Sequence, residues 1–337
     1  MKILVTGGAG FIGSHTVVEL YAAGYEAVIL DNFSNSEPSV LKGIEQITGT
    51  AVRCYEGDFG DKQLLHTIVE TESIQGVIHF AASKAVGESV EKPLLYYRNN
   101  VASTVALLEA MLEASVPNFV FSSSCTVYGQ PDTLPVTEAT PVQPATSPYG
   151  NTKQICEEIL RDTVHAGNPL KAISLRYFNP IGAHASALIG ELPRGVPSNL
   201  VPFVTQTAAG LRAKLVVFGD DYETLDGTCV RDFIHVVDLA KAHVKALEIL
   251  ASLTTTYHYD VFNIGTGRGN TVLEVINTFE SVTGVKVNYQ LGPRREGDIE
   301  QIYADVSKSK AQLHWQTEKS LAEALTDAWR WQQAISR

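Results

Sequence analysis

Short apolar runs alternate with longer stretches of helical period through the first 180 residues. The runs Lys2–Thr6, Ala27–Leu30, Val52–Tyr55, Val77–Phe80, Phe119–Ser122 and Ala172–Leu175 are brief and rich in Val, Ile, Leu or Phe. Strands covered on both faces have this pattern, because neither face meets water. Between them, Phe11–Ala23, Lys62–Glu70, Tyr96–Ala114 and Tyr149–Val164 carry the spacing of amphipathic helices. Strand and helix in alternation imply an α/β fold: a doubly wound parallel sheet with right-handed crossovers. After Tyr177 the pattern changes. Residues 180–231 are rich in Pro, Gly and Asn and hold no long periodic segment. Helical period returns at Val237–Leu250, a strand run at Val261–Ile264, a helix at Val272–Thr283, a strand at Val285–Gln290 and a last helix at Leu321–Gln332. The expected organisation is a first domain over residues 1–180, with 232–264 returning to its sheet. A smaller C-terminal α/β substrate domain occupies 181–337.

Composition narrows the partners. With 337 residues, the chain is long enough for one large α/β unit or two packed domains. A hydrophobic share of 45% and a charged share of 19% are those of a globular protein. The formal charge of −11 disfavours nucleic acid and anionic membranes, so an anionic substrate needs a local group of positive charge. Cys54, Cys125, Cys156 and Cys229 lie far apart, and no metal-ligand or redox spacing exists; no metal is expected, and the thiols read as reduced. The opening apolar run is too short for a secretory signal, and no stretch approaches the length of a membrane span, so a cytoplasmic location is expected.

The first strand runs into Thr6-Gly7-Gly8-Ala9-Gly10-Phe11-Ile12-Gly13, and a helix follows. Glycines at a strand–helix junction permit a tight turn and bring backbone N–H groups up to a pyrophosphate. Gly7, Gly10 and Gly13 set the spacing. Asp31, at the end of the second strand, suits a ribose diol and repels a 2′-phosphate, which favours NAD over NADP. Asp58, after the third strand, is a candidate for the adenine edge, and a turn aspartate is the alternative. A second glycine cluster, Gly265 to Gly269, follows a strand without a suitably spaced acid and reads as a loop.

The sharpest chemical signal is Tyr149-Gly150-Asn151-Thr152-Lys153. Pro148 opens a helical pattern, so Tyr149 and Lys153 stand one turn apart on one face. An ammonium beside a phenol favours the phenolate, so the pair is expected to lower the Tyr149 pKa and make the phenol a base. Ser122-Ser123-Ser124 ends the fifth strand at the carboxyl edge, where open α/β sheets place ligands.

These motifs together resemble the extended short-chain dehydrogenases/reductases over nearly the whole chain, and among them the UDP-galactose 4-epimerases. The resemblance is carried by the glycine loop and by the runs Asp31 to Ser36, His79 to Ser89, Asn99-Asn100 and Ser122 to Gly129. It continues through Ser147 to Gly150, Arg176 to His184, Gly227 to His235 and Arg294 to Asp298. It implies a Rossmann-type domain that keeps NAD bound through the cycle. The residues it assigns to NAD are Gly7, Gly10, Phe11, Ile12, Gly13, Asp31, Asn32, Phe33, Ser34, Asn35, Ser36, Asp58, Phe59, Phe80, Ala81, Ala82, Ser83, Lys84, Asn99, Ser124, Tyr149, Lys153 and Phe178. It gives Tyr149 the role of base, with Lys153 beside it and Ser124 on the sugar O4. It assigns UDP-glucose or UDP-galactose to Ser124, Tyr149, Asn179, Asn199, Leu200, Val216, Val217, Phe218, Arg231, Arg295, Glu296, Gly297, Asp298 and Ile302. Arg231 and Arg295 suit a diphosphate, since guanidinium forks match phosphate oxygens. A homodimer built on two helices per subunit is expected on the same ground.

The implied reaction passes the C4 proton to Tyr149 and the hydride to NAD, turns the 4-keto sugar over and returns the hydride to the other face. Ile302 stands where some relatives carry a large aromatic, which would leave room for UDP-GlcNAc or UDP-GalNAc. A nucleotide-sugar 4,6-dehydratase shares the fold, but it needs an acid/base pair after the active-site hydroxyl, and here Cys125 and Thr126 follow Ser124. A non-catalytic NAD-binding sensor is disfavoured by the intact Ser124, Tyr149 and Lys153.

Overall fold

The structure, a computed structural model, describes residues 1–295 and 297–336. Six strands open the chain: β1 (Lys2–Thr6), β2 (Glu26–Asp31), β3 (Arg53–Glu56), β4 (Gly76–His79), β5 (Asn118–Ser124) and β6 (Lys171–Tyr177). The helices between them are α1 (Phe11–Ala22), α2 (Ser39–Thr48), α3 (Lys62–Glu72), α4 (Val86–Glu91), α5 (Pro93–Tyr96), α6 (Ser103–Glu113) and α7 (Pro148–His165). The expected single helix over Tyr96–Ala114 is a composite. It runs from α5 through a π-helical turn at Tyr97–Ala102 into α6. Apolar spacing does not distinguish the two helical windings, and Asn100 is drawn inward here by hydrogen bonds that the period does not encode.

Residues 180–231, which show no long periodic segment in sequence, contain β7 (Asn179–Ile181), α8 (Leu200–Ala208), β8 (Leu215–Phe218) and β9 (Val230–Arg231). They are short, and their partners come from elsewhere in the chain. Next come β10 (Phe233–His235), α9 (Val236–Ser252), β11 (His258–Ile264), β12 (Asn270–Thr271), α10 (Val272–Thr283), β13 (Tyr289–Gly292), β14 (Gln301–Ile302) and α11 (Leu321–Ile335). The strand expected at Val285–Gln290 forms later, at Tyr289–Gly292, where pairing with Leu215–Phe218 begins.

The main sheet has seven parallel strands in the order β11-β6-β5-β4-β1-β2-β3. Its edge strand β11 comes from the late part of the chain and pairs with β6 from His258↔Lys171 to Ile264↔Tyr177. Side chains alternate between the faces, as the pleat requires. Ile3, Val5 and Ile29 pack with α1 and α9, whereas Leu4, Val28 and Leu30 pack with α3, α6 and α7. Both faces are therefore covered, which is why these strands read as apolar throughout. A further cluster joins α8, β8, α10 and α11 through Val204, Val217, Phe279 and Leu325. Among the described residues, no helix is long and apolar enough to cross a membrane. Cys125, Cys156 and Cys229 are buried free thiols, and Cys54 is half-buried.

Candidate active site

The site lies where β1, β2, β4, β5 and β6 deliver their carboxyl ends. At the β1–α1 junction Gly7 takes φ +71°, and a Cβ there would sit 2.8 Å from the Ala81 nitrogen. A Cβ on Gly13 would lie 2.2 Å from the Gly7 carbonyl oxygen, so the turn closes only with glycine. Gly10 caps α1, and no side chain accepts from its first N–H groups. The result is a compact cradle with backbone donors and a helix N-terminus facing out of it, which fits a dinucleotide pyrophosphate.

Asp31 is buried beside this loop. One carboxylate oxygen accepts from the Ala9 N–H at 3.0 Å. The other accepts from the Phe33 N–H and the Ser36 hydroxyl, each at 2.9 Å. The aspartate thus joins the glycine loop to residues 32–36, and further lone pairs remain for a ribose. Asn32 lies 3.5 Å from Asp58, whose other oxygen accepts from Gly60 N–H. Phe80 lies tilted against His243 at 4.6 Å, while Phe59 is core, packed edge-on against His79 at 4.9 Å. Phe178 is likewise buried, with Ile302. Asn99 donates to the Ser83 hydroxyl at 3.1 Å. Asn100 contributes more than its neighbour. Its side chain accepts from Ser83 N–H at 2.8 Å and donates to the Ser83 carbonyl at 2.9 Å, fixing the loop after β4. Its only sequence signal is its place in the Asn99-Asn100 pair.

Two elements, β5 and α7, bring Ser124, Tyr149 and Lys153 together. Ser124 ends β5. Ser147 caps α7 through Gly150 N–H, and Pro148 occupies its first turn. Lys153 is 4% exposed and donates to the Ser122 carbonyl at 2.6 Å. Its Nζ stands 6.0 Å from the centre of the Tyr149 ring.

One expectation reverses. Burial pushes the Tyr149 phenol up to about 12, and the Ser124 hydroxyl offsets only part of this. Burial also brings Lys153 down to about 8. Desolvation penalises both charged forms and is the largest influence on each. Lys153 directs its hydrogen bond at the Ser122 carbonyl. Tyr177, in contact with the Ser122 hydroxyl, also has its phenol raised by burial and by Tyr149.

The residues assigned to the UDP-sugar form a second group. Ile302 pairs in register with Arg231. It is 2% exposed and packs with Cys125, Tyr128 and Phe178, so it is a wall beside Ser124 rather than an open rim. Val217 faces the core, whereas Phe218 is exposed and carries the Arg295 guanidinium 5.3 Å above its ring. Arg295 pairs with Asp298 at 2.7 Å. Arg231 donates to the Val230 carbonyl at 2.9 Å, and among the described residues no carboxylate pairs with it. Asn199 precedes α8 and donates to Glu191 at 2.7 Å, with Leu200 next in the helix. Asn179 begins β7 beside β10. Gly297 takes φ +82°, and Glu296 lies outside the described residues. The late glycine cluster is a loop held by buried Asp232, which accepts from Thr266 N–H at 2.8 Å and Gly267 N–H at 3.1 Å.

The family model for GDP-mannose 4,6 dehydratase matches residues 4–328. The UDP-glucose 4-epimerase of Haemophilus influenzae is 51% identical over 332 residues, covering 98% of this chain and 97% of the relative. That of Bacillus subtilis is 52% identical, with the same coverage of both chains. Among solved structures, UDP-glucose-4-epimerase from Stenotrophomonas maltophila, with bound NAD and formylated UDP-arabinopyranose, superposes with a TM-score of 0.97 at 49% identity, covering 100% of this chain and 99% of that one.

Proposed function

Because the chain belongs to the UDP-glucose 4-epimerase family, we propose that it interconverts UDP-glucose and UDP-galactose at sugar C4 through a 4-keto intermediate, as a step in galactose metabolism. The observation that carries this reading is the convergence of Ser124, Tyr149 and Lys153 beside a glycine cradle shaped for a dinucleotide. When bound, NAD supplies the hydride acceptor and a positive charge near the phenol. Residues 1–180 with 232–264 would hold it, through the glycine loop, Asp31 to Ser36, Asp58, Phe80 to Lys84 and Asn99. The remainder of the chain would hold the UDP-sugar.

Tyr149 takes the proton of the sugar C4 hydroxyl and later returns it. Its phenol, raised by burial even with Lys153 nearby, becomes a base only when further positive charge is brought to it. Ser124 donates to the C4 oxygen and orients it. Arg231 and Arg295 hold the diphosphate, Arg295 through the Nη1 that Asp298 leaves unused. With the diphosphate clamped and few polar groups on the sugar, the ring is free to present its other face.

The dehydratase reading finds no carboxylate directly after Ser124, where Cys125 and Thr126 stand. Exposed Val90, Leu94 and Leu95 on α4 and α5 support a homodimer interface, and a cytoplasmic location accords with the reduced thiols. The compact Ile302 beside Cys125 favours acceptance of UDP-GlcNAc as a second substrate.

Replacing Tyr149 with Phe tests the assignment. Turnover of UDP-galactose should fall at least ~100-fold, the scale of a lost general base, while bound dinucleotide is retained. Unchanged turnover would remove Tyr149 from this role. UDP-GlcNAc assayed in parallel decides the second substrate.

A further inference from the structure

Segment 184–199 departs from the region after β6 and returns over the loops that follow β2 and β4. Arg194 donates from Nη1 to the Ser34 carbonyl at 2.9 Å and from Nη2 to the Ser36 carbonyl at 2.7 Å. Its guanidinium also pairs with Glu37 at 3.2 Å. Three residues earlier, Glu191 lies 3.9 Å from Lys84, in the loop after β4. In the sheet β1 stands between β4 and β2. Its neighbours are therefore about 10 Å apart, the span of roughly three extended residues. A segment tied to both flanking loops crosses above the β1–α1 turn.

The base of this segment is fixed. Ala183 and Gly190 form an antiparallel bridge. Trp331 donates from Nε1 to the Glu191 carbonyl at 2.8 Å. Gly43 of α2 comes so near that a Cβ would lie 2.5 Å from the Leu188 carbonyl oxygen. The far end has a different character, because Arg194 and Glu37 are both near half exposed. A firm base, a solvent-accessible fastening and a continuation into α8 make a strap that can lift between its anchors.

We infer that Arg194 is the clasp of this strap: by gripping the Ser34 and Ser36 carbonyls it closes residues 184–199 over the dinucleotide groove and sets how slowly NAD leaves. The inference rests on the NAD assignment made above. Arginine suits the task, since its fork reaches two carbonyls at once and a lysine reaches only one.

Wild-type protein, Arg194→Ala and Arg194→Lys, each purified with its bound dinucleotide, are diluted into an NAD-destroying glycohydrolase. The dinucleotide still bound is then followed by gel filtration over time. Loss should be about tenfold faster in the alanine variant, the scale of one or two charge-assisted hydrogen bonds at an exposed site, with lysine in between. Far-UV circular dichroism checks that the alanine variant is folded. If it is not, faster loss from the lysine variant supports the clasp. Release at the wild-type rate from folded variants overturns it. A wild-type protein that carries no dinucleotide overturns both the clasp and the NAD assignment.

Discussion

Burial alone makes Tyr149 a poor base. Its phenol lies up at about 12 while Lys153 lies down at about 8, so their usual near-equality gives way to a reversed order in which the ammonium gives up its proton well before the phenol does. The Tyr-x-x-x-Lys spacing and the serines ending β5 are visible in the sequence. Depth is not, because β5, β6 and the π-helical turn that bury the two side chains lie far away in the chain. The reading of a lysine-acidified phenol is therefore reversed: desolvation is the largest influence on Tyr149, and Lys153 directs its hydrogen bond at the Ser122 carbonyl. The expected outcome concerns the pH-dependent phenolate absorbance of dinucleotide-free protein, taken as the difference between wild type and Tyr149→Phe. No Tyr149 phenolate should form below about pH 10, where an ordinary phenol titrates. Adding NAD should move the onset lower. A phenolate already present at neutral pH without NAD would contradict the burial argument.

Helix α7 carries Tyr149, Lys153 and Glu157 at successive four-residue steps, so one face serves both chemistry and anchorage. Buried Glu157 receives the Arg176 guanidinium at 2.9 Å and 2.5 Å and the Ser123 hydroxyl at 2.5 Å. Arg176 also donates to the Tyr128 hydroxyl at 3.0 Å, which in turn donates to Asn263 of β11 at 2.6 Å. The network pins α7 to β5, β6 and β11. Replacing Glu157 with Gln leaves Arg176 as a buried, uncompensated charge and should cost about 3–5 kcal/mol of stability, measured from urea unfolding. A loss below about 1 kcal/mol would show that the pair anchors little. Long elements were legible from period alone, and α10 has the limits expected for it. The short α8, β7 and β8 were not, because their stability comes from distant partners such as β10, β13 and α11.

For the whole molecule, alternation of strand and helix disclosed the parallel sheet, and the apolar run near Val261 disclosed a strand that pairs at its far edge. The acidic balance disclosed only that an anionic ligand needs local help. Topology fixes the surroundings of the two arginines proposed for that help: β9 and β14 set Arg231 beside Ile302, and β8 sets Phe218 under Arg295. The strap could not be read from sequence, since Arg194 gains meaning only when the sheet order sets Ser34 and Lys84 on either side of β1. The central claim joins all three scales: hydride leaves C4 and comes back to C4 within one closed site. It is tested most directly by incubating the protein as purified with UDP-galactose bearing deuterium at C4. UDP-glucose should form with the deuterium still at C4; deuterium lost to water, or no UDP-glucose at all, would contradict it.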